Sequence, residues 1–134
     1  MRPVALMPPS LPPTETYSHG VAWNNLVFIG GQVGQLADGT PAARDMRGQV
    51  AQALRNLSAV LALRGGTLAN VVQLAWFTTD MDAFLKENDV KHEFYTHKPA
   101  DFVVEVSRLA APEWLVEVSG IAVIEESVAN PVIP

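Results

Sequence analysis

The sequence predicts an α+β fold in which two helices cover one face of a mixed sheet, and three patterns carry this prediction. The stretch from Pro99 to Glu125 contains two runs in which apolar and polar residues alternate. A short connection with a proline, from Ala110 to Glu113, separates the two runs, which is typical of a β-hairpin. Apolar residues recur at three- and four-residue steps from Arg44 to Arg64, and Gly65-Gly66 follows, so a helix is expected there. The apolar, β-branched and aromatic stretch Val71 to Thr78 predicts a central strand.

The remaining elements complete the order β-β-α-β-α-β-β. Glu15 to Ala22 and Leu26 to Ile29 are predicted as a first pair of strands, because the residues between them are suited to a tight turn. Asp80 or Asp82 is the expected cap of a second helix, which runs to about Tyr95. Two helices can cover only one face of such a sheet.

The chain of 134 residues has the length of one domain. Residues 1–13 are rich in proline and have no periodicity, which indicates an N-terminal arm. The expected division is therefore an arm over 1–13, a domain over 14–126 and a C-terminal tail over 127–134.

Composition narrows the partners and the chemistry. The net charge is −5 without a cluster of Lys and Arg, which argues against nucleic acid as a partner. Apolar runs are too short to cross a membrane and the N-terminus does not resemble a signal peptide, so a cytoplasmic protein is expected. Cysteine is absent, and His19, His92 and His97 show no metal-ligand spacing. Neither a metal nor another cofactor is therefore expected.

The two faces of the predicted hairpin differ in polarity. At period two, Phe102 and Val104 share a core face with Val116 and other apolar residues. The opposite face mixes large aliphatic residues with glutamates and serines; it comprises Val103, Glu105, Ser107, Leu109, Leu115, Glu117, Ser119 and Ile121. An aliphatic side chain left in water on this face forgoes about 1.5–3 kcal/mol. Self-association that buries this face is therefore expected.

Five stretches in order also resemble the Rid/YjgF family of imine deaminases, also called L-PSP endoribonucleases. They are Tyr17-Ser18-His19-Gly20, LVFIGGQV, GQVAQALRNLSAVL, VVQLAWFTTDMDAF, and PADFVVEVSRLA with LVEVSGIAVIE. The resemblance implies a chorismate-mutase-like subunit, a homotrimer and three clefts between subunits that bind small molecules. It also implies hydrolysis of an enamine or imine to a 2-keto acid and ammonia.

Two positions depart from what the resemblance implies. The family arginine that binds the substrate carboxylate, in a motif similar to P-A-R-x-x-V-E-V, corresponds to Asp101. Of two acids in the last strand, Glu117 fills the first position and Ser119 replaces the second. An acid in the cleft would disfavour an anionic substrate and could itself activate water, unless an arginine such as Arg108 or Arg44 of another chain compensates.

Other candidate site residues follow from the same resemblance. Tyr17 corresponds to a tyrosine near the ligand, although a strand tyrosine with a satisfied hydroxyl is an equal alternative. Gly31 corresponds to a glycine whose backbone faces the substrate, and Asn88 to an asparagine of the second helix. Val103 stands where many members have a reactive cysteine. Glu105 is either a catalytic acid or one partner of an ion pair.

His19, beside Tyr17, is either an acid or base near the cleft or a histidine that makes one structural hydrogen bond. Two functions of different class follow. The first is a trimeric hydrolase that acts on an imine, an enamine or a related small molecule other than the usual 2-aminoacrylate-type carboxylate, with Asp101, Glu117 and Glu105 as catalytic candidates. The second is a non-catalytic trimer that binds a small molecule or has a regulatory role.

Overall fold

A computed structural model describes residues 2–125, which form a six-stranded mixed sheet and two α-helices. The elements are β1 (Val4–Leu6), β2 (Gly20–Trp23), β3 (Leu26–Gln32), α1 (Met46–Ala62), β4 (Val71–Thr78), α2 (Met81–Glu87), β5 (Ala100–Glu105) and β6 (Val116–Val123). Short 3-10 helices span Leu68–Asn70 and Asn88–Glu93. The strands lie in the order β1-β2-β3-β6-β4-β5. In the described part of the chain, the helices are too short or too polar to span a bilayer.

Helix α1 confirms the helical periodicity of the sequence. The Asp45 carboxylate caps it by accepting a hydrogen bond from the Gly48 backbone N–H. Its apolar stripe packs on the sheet, and Val50, Leu54 and Leu57 are completely buried there. The sheet face under α1 is therefore the core of the domain.

Helix α2 is shorter than predicted. Asp80 caps it, because its carboxylate accepts a hydrogen bond of 3.0 Å from the Ala83 N–H. The helix ends at Glu87, and the segment Asn88–Glu93 continues as a 3-10 helix. Phe84 of α2 packs against Trp76 of β4, with ring centroids 5.4 Å apart, so α2 covers the same face as α1.

The predicted hairpin of the last two strands is wrong. β5 pairs with β4 in parallel, with Val103 opposite Trp76, whereas β6 pairs with β4 antiparallel, with Val118 opposite Trp76. β4 therefore lies between the two strands that the sequence was expected to pair. The physical reason is that α2 connects β4 to β5 as a βαβ crossover, which places successive strands side by side in parallel.

The predicted faces of β5 are also reversed. Asp101, Val103 and Glu105 share the register of Leu74, Trp76 and Thr78, which point toward the helices. The apolar residues Phe102 and Val104 lie on the opposite face, where they are 46% and 42% exposed. We call this opposite face, which neither helix covers, the open face; it includes Phe28, Ala75, Phe77, Phe102, Val104, Glu117, Ser119 and Ile121.

The segment expected to be an arm contributes a strand to the sheet. β1 pairs antiparallel with β2, with Val4 opposite Ala22, and Leu6 and Leu11 are buried in the core. The first strand predicted from Glu15 is shorter than expected, because β2 begins at Gly20. The predicted tail over 127–134 lies outside the described residues.

Candidate active site

A bulge in β3 shapes the first part of the candidate site. The pairing of β3 with β6 shifts register between Ile29 and Gln32, so Gly30 and Gly31 together stand opposite Ser119. An extra residue of this kind bends a strand and moves its backbone out of the regular ladder. The bulge therefore brings the backbone of Gly31 to the open face beside β6.

Glu117 lies directly against this bulge. A Cβ atom at position 31 would stand 2.7 Å from the Glu117 carboxyl carbon and 3.0 Å from each of its oxygens. Only glycine fits there while the carboxylate keeps its position. Within residues 2–125, Glu117 takes part in neither a salt bridge nor a side-chain hydrogen bond, and burial raises the pKa of its carboxyl group.

The segment from Tyr17 to His19 borders the same bulge. The Gly30 N–H donates a hydrogen bond of 2.8 Å to the His19 carbonyl. His19 is buried and its Nε2 lies 2.7 Å from the Pro12 carbonyl, so the histidine fastens the N-terminal segment to the domain. Tyr17 is 62% exposed, and its ring meets the His19 ring edge-on at 5.9 Å. Tyr17 is therefore accessible to a ligand or to a second chain.

Ser119 lines a shallow groove on the open face. The groove has a volume of about 330 Å³, and the side chains of Phe28, Phe102 and Ile121 also line it. The groove is largely apolar. Ser119 is uncharged, so this position lacks the negative charge that a second glutamate would place there.

Asp101 lies on the other side of the sheet from Glu117 and has a partner. Its Oδ2 is 3.5 Å from Nζ of Lys91, whose side chain is 11% exposed. Sequence reasoning expected Asp101 as an isolated anion or with an arginine of another chain, and it missed this lysine of the same chain. The helical spacing of Phe84, Asn88 and Lys91 places them on one helix face, but nothing in the sequence indicates that this face meets Asp101 of β5.

Asn88 and Glu105 also lie near this edge of the sheet. Asn88 lines a cavity of about 290 Å³ together with Lys91 and Asp101, and its Oδ1 is buried without a hydrogen-bond partner in the described chain. Glu105 Oε1 accepts a hydrogen bond of 2.9 Å from the Met81 N–H at the start of α2. Glu105 thus stabilises the N-terminus of that helix.

The sequence-predicted residues therefore form two groups within one chain. Tyr17, Gly31, Glu117 and Ser119 belong to the open face or its border. Asn88, Asp101, Val103 and Glu105 belong to the helix-covered side at the β5 edge, where Val103 packs against the core. The described residues contain no group of three or more His, Asp or Glu side chains that could hold a metal ion.

Comparisons with known proteins agree with this architecture. The family described as Endoribonuclease L-PSP matches residues 8–124. A RutC family protein of Pyrococcus horikoshii is 34% identical over 117 residues, which are 82% of this chain and 88% of the relative. The crystal structure of yeast Mmf1 superposes with a TM-score of 0.85 at 29% identity, over 92% of this chain and 100% of that one.

The chain therefore belongs to the Rid/YjgF family, the family of L-PSP endoribonucleases. A further relative, from Dermatophagoides farinae, is named 2-iminobutanoate/2-iminopropanoate deaminase. It is 31% identical over 115 residues, which are 84% of this chain and 89% of that protein. The family thus includes imine deaminases, and the substrates in that name are those of the Dermatophagoides farinae protein.

Proposed function

We propose that this protein hydrolyses a small imine or enamine to a carbonyl compound and ammonia, in clefts between the subunits of a homotrimer. The observation that carries the proposal is Glu117, a half-buried acid without an ion partner in residues 2–125, which lies against the backbone of Gly31. A carboxyl group held in this way is suited to orient water and to transfer protons. The cytoplasmic location expected from the sequence is part of the proposal.

The proposed chemistry needs one group that changes protonation during turnover. The Glu117 carboxylate accepts a proton from water as the oxygen attacks the iminium carbon, which gives a carbinolamine. The protonated acid then donates to the departing nitrogen and ammonia leaves. The hydroxyl group gives its proton back to the Glu117 carboxylate as the carbonyl forms, and Glu117 passes that proton to solvent. A pKa raised by burial favours both steps, because it brings the acid closer to neutral pH.

Self-association supplies the rest of the cleft in this proposal. Phe28, Phe102 and Val104 are 43%, 46% and 42% exposed on the open face, and sister subunits would bury them. The β5 edge of one chain, with Asp101 and Asn88, would then approach Glu117 and Tyr17 of another.

The substrate is proposed to lack a carboxylate. Asp101 stands where the family arginine is expected, and the Lys91 ammonium beside it is already opposed by the Asp101 charge. Loss of a charge-assisted hydrogen bond to a substrate carboxylate corresponds to about 1.5–3 kcal/mol. An imine derived from a neutral amine or aldehyde fits this region better than one derived from an amino acid.

Competition with semicarbazide tests the proposal. An amine oxidase generates an imine without a carboxylate, and an amino-acid oxidase generates 2-iminopropanoate; semicarbazide traps whatever imine is not hydrolysed first. We expect the protein to lower the semicarbazone yield from the first imine and to have little effect on the second. The Glu117→Gln variant should lose this effect, whereas Glu113→Gln, at an exposed position in the loop before β6, should keep it.

Each alternative result has a distinct meaning. Faster turnover of 2-iminopropanoate than of the carboxylate-free imine would contradict the proposed substrate class. Failure to accelerate any imine would favour the second candidate, a non-catalytic trimer that binds a small molecule or has a regulatory role. The serine at position 119 and the ion-paired Asp101 are the observations that favour this second candidate.

A further inference from the structure

Lys91 is held unlike the other two lysines of the chain. Its side chain is only 11% exposed, and its Nζ lies 4.5 Å from the centre of the Trp76 ring and 4.7 Å from that of Phe84. Lys86 and Lys98, by contrast, are exposed. The amine of Lys91 therefore sits against two aromatic faces with little access to water.

The charge of Lys91 is incompletely compensated. An ammonium group has three N–H donors, yet in residues 2–125 the single ion partner of Lys91 is Asp101, at the long distance of 3.5 Å. Charge-assisted hydrogen bonds are normally about 2.7–2.9 Å long. Arg47 has closer ion partners, with Asp89 at 2.9 Å and Glu87 at 3.2 Å.

Burial has the expected effect on this amine. It lowers the pKa of Lys91, and the Asp101 carboxylate offsets part of the change. The aromatic faces also attract the ammonium form. A larger share of Lys91 than of an exposed lysine is nevertheless expected to be uncharged at neutral pH, and an uncharged amine is a nucleophile.

The amine also has access to a space where a small molecule fits. Lys91 lines the cavity of about 290 Å³ with Asn88, Tyr95 and Asp101; His92, Thr96, His97, Lys98 and Pro99 complete the lining. Burial and the charge of Asp101 raise the pKa of Tyr95, so its hydroxyl remains a neutral donor. The unpartnered Oδ1 of Asn88 is an acceptor that a ligand hydroxyl or N–H can satisfy.

We propose that Lys91 is a covalent site, at which the side-chain amine forms an imine with a small uncharged aldehyde or ketone in this cavity. The proposal does not require the Glu117 reaction, because here Lys91 and not water is the nucleophile; the cavity, at the β5 edge, would adjoin the intersubunit cleft of the proposed function. A carboxylate-bearing carbonyl compound is a poorer ligand, because Asp101 lies beside the amine.

The reaction is an ordinary condensation. The Nζ lone pair attacks the carbonyl carbon, the π electrons move to the oxygen, and the oxygen takes a proton. The nitrogen then loses a proton to Asp101 or to water, and the carbinolamine expels its hydroxyl group as water after protonation, which leaves a protonated imine. Loss of the last N–H proton to Asp101 or to water gives the neutral imine. Addition of water reverses every step, so neither an oxidant nor a reductant is consumed.

Reductive trapping tests the site. The purified protein is incubated with propanal and cyanoborohydride at pH 7, and peptide mass spectrometry follows the modification of Lys91 over time. Lys86, which is exposed and does not line the cavity, is the internal control in the same molecule. We expect Lys91 to be modified about tenfold faster than Lys86, because a larger fraction of its amine is uncharged at this pH. Equal or slower modification of Lys91 would overturn the proposal.

Two variants separate reactivity from packing. Lys91→Arg keeps a cation on the rings but cannot form an imine, so the fast modification should disappear while the protein stays folded. Asp101→Asn removes the charge that favours the ammonium form, so modification of Lys91 should reach half its maximal rate at a lower pH. An unchanged pH profile in Asp101→Asn would contradict the assigned role of Asp101.

Discussion

The covered face and the open face of the sheet carry similar residue types but use them differently. On the covered face, Val118 and Trp76 are completely buried under the helices. On the open face, Phe102 and Phe28 remain about half exposed, although they are equally apolar. A hydrophobic side chain in a strand therefore does not reveal which face is the core.

The acidic residues show the same contrast. Asp101, on the covered side, has Lys91 as an ion partner, and Glu105 receives a backbone N–H at the start of α2. Glu117, on the open face, lies against Gly31 and has neither kind of partner among the described residues. A carboxylate without partners stabilises the fold little and is available for chemistry, so the open face is the better candidate for the reaction.

The contrast between the faces predicts different mutational effects. Leu54→Ala removes a completely buried side chain beneath α1 and should lower the free energy of unfolding by about 2–5 kcal/mol. Phe102→Ala should instead weaken subunit association, and its effect on unfolding should depend on protein concentration. Denaturant titrations at several concentrations, with sedimentation analysis, measure both. A concentration-independent loss of similar size in both variants would contradict association through the open face.

Removal of the Glu117 carboxylate should have the next largest effect, on the rate of hydrolysis. Glu117→Gln should lower the rate of imine hydrolysis about 100-fold, a typical value for loss of a general acid–base group. In the wild type, the rate should fall as the pH falls through the raised pKa of Glu117, because the carboxylate form is lost. Rate measurements on both proteins across the acidic and neutral pH range provide the test. A pH profile in Glu117→Gln equal to that of the wild type would exclude this role.

The stability of the fold should depend on pH in the direction opposite to the rate of hydrolysis. A folded state with a raised carboxyl pKa binds more protons than the unfolded state between the two pKa values, so stability decreases as the pH rises through that window. Above the window, Glu117→Gln removes this penalty and should be slightly more stable than the wild type. Loss of activity together with a gain of stability is the combination expected at a functional acid.

Local patterns predicted the elements of the fold well and their pairing poorly. β4 has the predicted bounds, Val71–Thr78, and α1 lies within the predicted range, because each was specified by its own periodicity. The pairing of β5 depends on the crossover through α2, which the alternation within β5 does not encode. The faces of β5 were predicted the wrong way round because Phe102 and Val104 are apolar but lie outside the core of this chain, on the open face.

The candidate site divides in the same way. Glu117 and Gly31 were predicted from motifs, and the structure places them in contact. Lys91 was missed as the partner of Asp101, since they come from different elements that meet only in three dimensions. The helical spacing of Phe84 and Lys91 indicated a shared helix face, but it did not indicate the acid on β5.

A smaller effect is expected from the glycine at the bulge. In Gly31→Ala, the new Cβ would stand 2.7 Å from the Glu117 carboxyl carbon and must displace it, so activity should fall about tenfold, which is about 1.4 kcal/mol in the barrier. Gly30→Ala is the matched control, because its Cβ would meet nothing closer than 3.4 Å. Steady-state rates of both variants make the comparison. Equal activities would show that the position of the Glu117 carboxylate does not limit the rate.

The smallest effect separates the two roles considered for Glu105. Its carboxylate receives the Met81 N–H on the covered side, so Glu105→Ala should lower stability by about 1 kcal/mol, as for loss of a helix cap. Glu105→Gln keeps an acceptor oxygen and should be nearly as stable as the wild type, with activity unchanged within about twofold. Thermal unfolding and imine hydrolysis measure the two properties. A large loss of activity in the glutamine variant at unchanged stability would make Glu105 a catalytic acid, because the reaction would then require its charge although the helix cap does not. The reaction would in that case use groups from both sides of the sheet.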